Sequence, residues 1–325
     1  MINFIDININ LKQDCRINKG DNMKKGLKIL LVLFFFSSTS FAADPVVEVD
    51  WLKNNVNKSN VYVLDIRNKL DGGSYETFKE GHIPGSKHSN YLTGGWRAKV
   101  KGVGGQFPGP KPLETLIGSL GIDNNKHVIV VYGGVSSLDF GSASRVYWTF
   151  KTLGHENVSI LNGGYTAWKN AGLQIETGEH NLSPATFKSK LNKSYSASFS
   201  EVQRAEKGKK TNCLIDARPA VFFAGKKKHA LAKAPGRINN AKNLQEGSMI
   251  DENNKIRSAS EIKALFGNLN ADDYKGYISY CNTGHWASTV WFALSEIAKI
   301  PDVKIYDGGM AHWTLNPKNK VIVEG

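Results

Sequence analysis

Short apolar runs alternate with longer stretches of helical periodicity along most of the chain. The runs are four or five residues long, rich in Val, Ile, Leu and Tyr, and typical of buried strands; they include segments 61–64, 128–131, 158–161, 213–215 and 277–280. Segments 142–153 and 260–266 have a helical pattern, and segment 287–298 is typical of an amphipathic helix. This alternation predicts parallel strands joined by right-handed helical crossovers, which is a doubly wound α/β architecture.

The strand-like runs belong to an internal repeat. Val-Tyr-Val-Leu-Asp-Ile-Arg at 61–67 returns as Cys-Leu-Ile-Asp-Ala-Arg at 213–218, and Gly-His-Ile-Pro-Gly-Ser at 81–86 returns as Gly-Arg-Ile-Asn-Asn-Ala at 236–241. Segments 128–133 and 158–164 match 277–281 and 303–309 in the same order. Because order is kept and only loop lengths differ, the sequence predicts two tandem copies of one α/β domain. We place the N-terminal copy at 43–178, a polar linker at 179–196 and the C-terminal copy at 197–325.

A cysteine stands at the end of one predicted strand. Cys281 opens the tight loop 281–286, ahead of the predicted helix. Such a loop can turn successive backbone N–H groups inward, and the positive end of a helix adds to their field, so the cavity attracts anions and lowers a thiol pKa. Ligands of open α/β sheets also lie beyond the carboxyl ends of the strands. The alternative interpretation is a small buried apolar cysteine.

The first 42 residues have the pattern of a removable export signal. A basic stretch at 23–28 precedes an apolar run at 29–36, and small residues follow, with Ser40 and Ala42 placed for cleavage after Ala42. The apolar run is too short to span a bilayer comfortably, so we expect no stable membrane insertion after processing. We therefore expect a periplasmic or secreted protein, with Met23 as an alternative start residue.

Charge and cysteine content narrow the function classes. Removing residues 1–42 takes away six Lys or Arg and three Asp or Glu, so the net charge falls from +13 to +10. Long basic runs interleaved with aromatic residues are missing from the sequence, which argues against nucleic acid as a partner, whereas a general attraction for small anions fits. Two cysteines remain, and an exported protein can pair them. We interpret Cys213 as a core residue and Cys281 as a free thiol, because they belong to different strands.

The repeated segments together resemble the tandem-domain rhodanese (sulfurtransferase) family. The resemblance lies in the motifs at 64–67, 81–85, 161–164, 214–218 and 307–309 and in the loop 281–286, and it spans roughly residues 46–325. It implies an inactive N-terminal copy, with Gly133 in the position of Cys281, and a catalytic C-terminal copy. It also implies sulfur transfer through a persulfide on Cys281, from a small anionic donor such as thiosulfate to a thiol or cyanide, without a metal or an organic cofactor.

The predicted site consists of the catalytic cysteine and its loop. We expect substrate binding by six residues: Asn282, Thr283, Gly284, His285, Trp286 and Arg237. Asp216 and Arg218 are expected to support the loop through buried hydrogen bonds. For His285 two interpretations stay open, namely a charged group that holds an anion or protonates a leaving group, and a loop residue that faces solvent.

Other functions would require different residues at defined positions of the sequence. Members that use mercaptopyruvate carry arginines soon after the Asp-x-Arg segment, where this chain has Phe222 and Phe223, so thiosulfate is favoured as the donor. Cysteine phosphatases need an arginine after five intervening residues, and that position is Ala287. A non-catalytic persulfide carrier or interaction module in the cell envelope stays open.

Overall fold

The computed structural model describes residues 43–324 except His180, Leu182, Lys209, Lys210 and Asp272. The predicted signal segment and its cleavage site therefore lie outside the described residues. The described residues form one compact unit. No helix of the described part is long and apolar enough to cross a membrane.

Thirteen strands and ten α-helices make up the described part of the chain. The strands are β1 (Val46–Val47), β2 (Val61–Asp65), β3 (Lys87–His88), β4 (Ala98–Val100), β5 (Val103–Gln106), β6 (His127–Val131), β7 (Val158–Leu161), β8 (Asn212–Asp216), β9 (Arg237–Ile238), β10 (Lys242–Asn243), β11 (Gly276–Tyr280), β12 (Val303–Tyr306) and β13 (Val321–Ile322). The α-helices are α1 (Val49–Asn55), α2 (Tyr75–Glu80), α3 (Pro110–Ser119), α4 (Ser137–Thr152), α5 (Gly164–Asn170), α6 (Phe199–Ala205), α7 (Ala220–Phe223), α8 (Ala259–Gly267), α9 (His285–Trp291) and α10 (Gly309–Trp313). Short 3-10 helices at Lys69–Asp71, Lys193–Tyr195 and Glu246–Met249 and a π-helix at Phe292–Ile297 complete them.

Two parallel sheets with the same strand order form the framework. The first runs β1-β7-β6-β2-β3 and the second runs β12-β11-β8-β10. The two orders coincide when β2 is matched to β8, β6 to β11 and β7 to β12. In the place of β1, the second copy has a single parallel bridge between Ser196 and Ile305. The prediction of two tandem, doubly wound α/β copies is confirmed.

The central parallel strands bury side chains on both of their faces. In β2, Val63 packs into a cluster with Leu52 and Trp168, whereas its neighbour Leu64 belongs to a second, larger cluster. Successive side chains of a strand point to opposite faces, so both faces of the sheet are covered, as a parallel sheet requires. Trp168 and Trp313 occupy matching positions in the two copies, and both are buried.

The helix after the cysteine loop differs from its prediction. It begins at His285 instead of residue 287, and it continues from α9 into the π-helix Phe292–Ile297. It is buried on nearly all sides, not amphipathic, because α4 of the first copy packs across it and the larger hydrophobic cluster joins both copies. A helix that is apolar all round is typical of a buried interface between two layers.

The Glu246 carboxylate is buried where the copies meet. Glu246, from the second copy, is 6% exposed, and its Oε1 lies 3.4 Å from Ser137 Oγ in the first turn of α4. Its Oε2 is buried without a hydrogen-bond partner in the described structure. Burial raises the pKa of Glu246 to about 7, because a charged carboxylate is poorly solvated there.

This shift predicts a pH-dependent stability that a single substitution removes. The unfolded carboxyl titrates near pH 4.3, so between about pH 4 and 7 the folded state binds more protons than the unfolded state. Below about pH 4 the neutral Glu246 carboxyl does not lower the free energy of unfolding. As the pH rises to about 7, the free energy of unfolding falls, because the charged carboxylate is less favourable in the folded state than in the unfolded state. Glu246→Gln should raise the free energy of unfolding at pH 8 by about 3 kcal/mol and change it little near pH 4.

Urea denaturation of wild type and variant at both pH values measures this difference. Glu252→Gln, at an exposed carboxylate of the same copy, is the matched control and should give the same difference at both pH values. A Glu246→Gln variant that is equally affected at pH 4 and pH 8 would contradict the burial argument.

Candidate active site

Cys281 lies directly after the central strand of the second sheet. Its side chain is 1% exposed, and the strand before it, β11, pairs with β8 and β12 on its two sides. Two hydrogen bonds from α10 hold the backbone of the loop. Met310 N–H donates to the Cys281 carbonyl at 2.8 Å, and Ala311 N–H donates to the Asn282 carbonyl at 3.0 Å. Cys213 is also buried and free. The interpretation of Cys213 as a core residue is confirmed.

The cysteine loop has backbone donors without protein acceptors. The N–H groups of Asn282, Thr283 and Gly284 donate to no acceptor in the described part of the chain, although all three residues are buried. Gly284 has φ +79°, and a Cβ there would lie 2.1 Å from Arg145 Nη1, so the loop requires glycine at this position. Buried donors seldom lack partners in folded proteins, which makes these amides candidates for binding an anionic ligand.

In the first copy, the amides of the matching loop donate to a carboxylate of the protein itself. Asp139 Oδ2 accepts from Gly134 N–H at 2.7 Å and Val135 N–H at 3.1 Å, and Oδ1 accepts from Ser136 N–H at 2.8 Å. A Cβ on Gly133 would lie 2.5 Å from the Asp71 Cβ, so a cysteine has no room there. The position that matches Asp139 in the second copy is Ala287, which carries no charge to fill the loop. The two loops differ in backbone, since the left-handed glycine is Gly134 in one and Gly284 in the other.

Two buried arginines set the electrostatics around the cysteine. Arg145, from α4 of the first copy, has its Nη1 2.5 Å from Asp307 Oδ1 and its guanidinium 4.6 Å from the Trp148 ring centre. Burial alone lowers the pKa of Arg145, but the negative charges of Asp307 and of the Cys281 thiolate raise it above its usual value. The same thiolate contributes to raising the pKa of Arg218. Both arginines are therefore positively charged, and they are buried in the surroundings of Cys281.

The Asp216–Arg218 pair forms buried hydrogen bonds next to the cysteine loop. Arg218 Nη2 lies 2.6 Å from Asp216 Oδ2 and donates to the Gly236 carbonyl at 2.8 Å. Its Nη1 reaches Asn282 Oδ1 at 3.4 Å, which links the pair to the cysteine loop. In the first copy Arg67 makes the matching bonds to Asp65 and to the Gly81 carbonyl, also at 2.8 Å.

His285 has neither of the two roles that the sequence left open. Its Nε2 lies 2.8 Å from the Leu138 carbonyl, which can only accept, so Nε2 donates and Nδ1 accepts from the Tyr91 hydroxyl at 2.8 Å. Burial, with help from the positive charge of Arg97, lowers its pKa to about 3. The ring is buried and neutral near pH 7, so it neither faces solvent nor holds an anion by charge. It fastens the cysteine loop to the first copy.

A cavity of about 200 Å³ opens over the cysteine between the two copies. The second copy lines it with His229 and with the predicted loop residues Cys281, Asn282, Thr283, His285 and Trp286. The first copy lines it with Leu70, Leu92, Arg97 and Leu138. Arg97 Nη2 donates to the Thr283 carbonyl at 2.8 Å and to Thr283 Oγ1 at 2.9 Å, so this arginine also fixes the loop.

Arg237 is the predicted substrate residue that the structure places elsewhere. Its Nη1 donates to Glu324 Oε1 at 2.9 Å and to the Phe223 carbonyl at 3.2 Å, and its guanidinium lies 4.2 Å from the Phe223 ring centre. It is not among the residues that line the Cys281 cavity. The reason is register: β9 pairs with β13 and turns this side chain toward the C-terminal strand.

Sequence reasoning missed the contribution of the first copy. Arg97 and Leu92 precede a hairpin formed by β4 and β5 and lie outside the repeated motifs, so no sequence signal marks them. Arg145 had a signal, because it is a charged residue inside the apolar helical segment 142–153. A charge in such a place is almost always paired, and its partner Asp307 belongs to the other copy.

Comparison with known proteins agrees with this geometry. The family model described as "Rhodanese-like domain" matches the chain twice, at residues 48–171 and 198–316. Thiosulfate sulfurtransferase from Bos taurus is 30% identical over 279 residues, which cover 82% of this chain and 91% of that protein. The 3-mercaptopyruvate sulfurtransferase from Escherichia coli strain K12 is 28% identical over 82% of this chain and 94% of that protein. The crystal structure of SseA from Escherichia coli, a 3-mercaptopyruvate sulfotransferase by its description, superposes with a TM-score of 0.71 at 26% identity, covering 82% of this chain and 99% of that one. The protein is therefore a member of the rhodanese family with two copies of the domain.

Proposed function

We propose that this protein is a sulfurtransferase that carries a sulfane sulfur on Cys281, from thiosulfate or a similar small anionic donor to a thiol or cyanide. The observation that carries the proposal is the contrast between the copies. The loop of the first copy is filled by the Asp139 carboxylate. The loop of the second has Cys281, amides without acceptors among the described residues, and Ala287 in the position that matches Asp139.

The chemistry divides one transfer into two displacements. The Cys281 thiolate attacks the outer sulfur of thiosulfate, the sulfur–sulfur bond of the donor breaks, and sulfite leaves with the electron pair. The acceptor then attacks the outer sulfur of the persulfide, forms thiocyanate or an organic persulfide, and returns the thiolate. Covalent catalysis of this type requires a stabilised anionic nucleophile. Arg145 and Arg218 supply the positive charge, and the loop amides supply hydrogen bonds to the persulfide.

Relatives with two different donors match this chain. A thiosulfate sulfurtransferase and a 3-mercaptopyruvate sulfurtransferase have similar identity to it. Members that use mercaptopyruvate have carboxylate-binding arginines in the region of Phe222, whereas here Phe222 packs against Trp286 with ring centres 5.7 Å apart. Among the described residues that line the cavity, Arg97 is the only arginine. We therefore keep thiosulfate ahead of mercaptopyruvate as the donor.

Stoichiometric labelling tests the proposal. Incubation of the purified protein with thiosulfate, without an acceptor, should release about one sulfite per chain and add the mass of one sulfur to the peptide that contains Cys281. Cyanide should then remove that mass and produce thiocyanate. The absence of both sulfite and the adduct would leave only a non-catalytic module, and an adduct formed only from a protein donor would identify a carrier.

We also propose that the protein acts in the periplasm or is secreted, on the strength of the signal pattern at 23–42. N-terminal sequencing of the protein purified from the envelope fraction should begin at Ala43. A chain recovered intact from the cytoplasm would contradict export.

A further inference from the structure

A reciprocal contact joins the two copies at their Gly-Gly turns, 162–164 and 307–309. Phe107 N–H of the first copy donates to Asp307 Oδ2 at 2.7 Å, and Ile256 N–H of the second copy donates to Asn162 Oδ1 at 3.1 Å. Phe107 precedes α3 by three residues, and Ile256 precedes α8 by three residues. The same contact is therefore made once in each direction, and it follows the internal repeat.

The two contacts differ in their buried charge. At Asp307 the carboxylate Oδ1 lies 2.5 Å from Arg145 Nη1, and the two side chains are 18% and 0% exposed. The matching turn residue Asn162 is neutral, and the position that matches Arg145 in the second copy is Ala293. The exchange of a buried ion pair for neutral groups of similar size often leaves stability unchanged or increases it. Since Asn162 makes the same contact without a charge, docking of the copies does not by itself require the Arg145–Asp307 pair.

The Arg145–Asp307 pair lies against the cysteine loop and outside the cavity. A Cβ on Gly284 would lie 2.1 Å from Arg145 Nη1 and 2.5 Å from Asp307 Oδ1, so the pair packs on the backbone of that glycine. Asp307 also opens the turn into α10, whose first N–H groups donate to carbonyls of the cysteine loop. Neither Arg145 nor Asp307 is among the described residues that line the cavity. The pair can therefore act on a bound donor only through the loop.

Arg145 depends on Asp307 for its placement. Its Nε and Nη2 have no hydrogen-bond acceptor in the described structure, and its guanidinium packs on the Trp148 ring, 4.6 Å from the ring centre. Removing one partner of such a pair leaves the other charge buried and uncompensated, which is strongly destabilising. A test of the pair must therefore remove both charges together.

We propose that Arg145 and Asp307 are positioning residues for the sulfur transfer, and that the pair holds the loop amides of Thr283 and Gly284 in the orientation that binds an anionic sulfur. The inference rests on the proposed function of Cys281. Donors of this kind stabilise a developing charge only when their geometry is fixed before the reaction. The pair forms no bond to the donor, and its contribution is the direction of the N–H groups. The first copy, which carries no persulfide, keeps the docking contact with a neutral side chain.

A neutral double variant tests this role. Arg145→Met/Asp307→Asn removes both charges and reproduces the uncharged contact of Asn162. Its urea midpoint should equal or exceed that of the wild type. Its kcat/KM with thiosulfate and cyanide should fall at least about 10-fold, because a misplacement of about 1 Å can cost about 100-fold. Alkylation of Cys281 by the neutral reagent iodoacetamide at about pH 10, where the thiol is ionised, should change less than about threefold.

Lys151→Met/Glu296→Gln is the matched control. Lys151 belongs to the same helix as Arg145, and its Nζ lies 4.0 Å from Glu296 Oε2 of the second copy, with side chains 7% and 10% exposed. This ion pair is also buried between the copies, but neither residue lines the cavity among the described residues. The control should leave kcat/KM of the folded protein unchanged, whatever its effect on stability.

The outcomes separate the positioning role from the proposed function. A kcat/KM of wild-type size in the Arg145→Met/Asp307→Asn variant, or an equal loss in the control, would overturn the role and leave the sulfurtransferase intact. An equal loss of alkylation and transfer would also overturn it, because the cysteine itself would then be displaced. So would a variant that fails to fold, since the pair would then be needed for docking. If the wild type releases no sulfite from thiosulfate, the proposed function fails as well.

Discussion

Replacing Cys281 by serine is expected to abolish sulfur transfer while the protein stays folded. A hydroxyl does not ionise near neutral pH, and without an anionic sulfur no persulfide can form. Loss of a nucleophile that works with its surroundings as a unit lowers turnover by roughly 10⁴-fold or more. The side chain is 1% exposed, and a serine there costs at most about 1–3 kcal/mol of stability through its buried hydroxyl. Sulfite release from thiosulfate measures the first effect, and thermal unfolding measures the second.

Cys213→Ser is the matched control for this variant. Cys213 is equally buried, but it lies inside β8, and burial raises the pKa of its thiol to about 11. It therefore stays protonated, and its replacement should leave turnover unchanged while lowering stability by a similar amount. Turnover that survives in the Cys281→Ser variant, or disappears in the Cys213→Ser variant, would contradict the assignment of the nucleophile.

The fold was predictable because its signals are local and repeated. Runs such as 61–64 and 277–280 are buried strands by composition alone, and their recurrence in order predicted two copies before any contact was known. Helix bounds were less accurate. The helix predicted at 142–153 begins at Ser137, because Ser136 caps it and accepts from Asp139 N–H. A polar capping turn has no apolar periodicity and so was not recognised as helical.

The part of the site that the second copy supplies could be predicted from the sequence. The part that the first copy supplies could not, because it depends on how the two copies pack together. The loop 281–286 and the Asp216–Arg218 pair are contiguous in sequence or marked by the repeat, and the structure brings them together. The contacts of Arg97 with Thr283 and of Tyr91 with His285 span more than 180 residues. They arise because α4 packs on α9, and no pattern within one copy specifies that packing. Arg237 was misplaced because a repeat match predicts the position of a backbone and not the direction of a side chain.

The Asp-x-Arg pairs of the two copies allow the effect of the arginine on stability to be distinguished from its effect on catalysis. Arg218→Met should lower the free energy of unfolding by about 3–5 kcal/mol, because it leaves the buried Asp216 carboxylate without its partner. It should also lower kcat/KM of the folded protein by about 10-fold or more, since Asn282 loses its contact with Nη1 and the thiolate loses a nearby cation. Urea denaturation and thiosulfate turnover, measured where the variant is fully folded, give the two numbers.

Arg67→Met separates the two effects, because Arg67 makes the same buried bonds around Asp65 in the copy whose loop has no cysteine. It should cost a similar free energy of unfolding and leave kcat/KM of the folded protein unchanged. If both variants lower kcat/KM equally, the arginines act only by holding the copies in shape, and Arg218 has no positioning role toward Cys281. If only Arg218→Met lowers it, the repeated pair has kept one structural task in both copies and gained a second task in the copy that holds the sulfur.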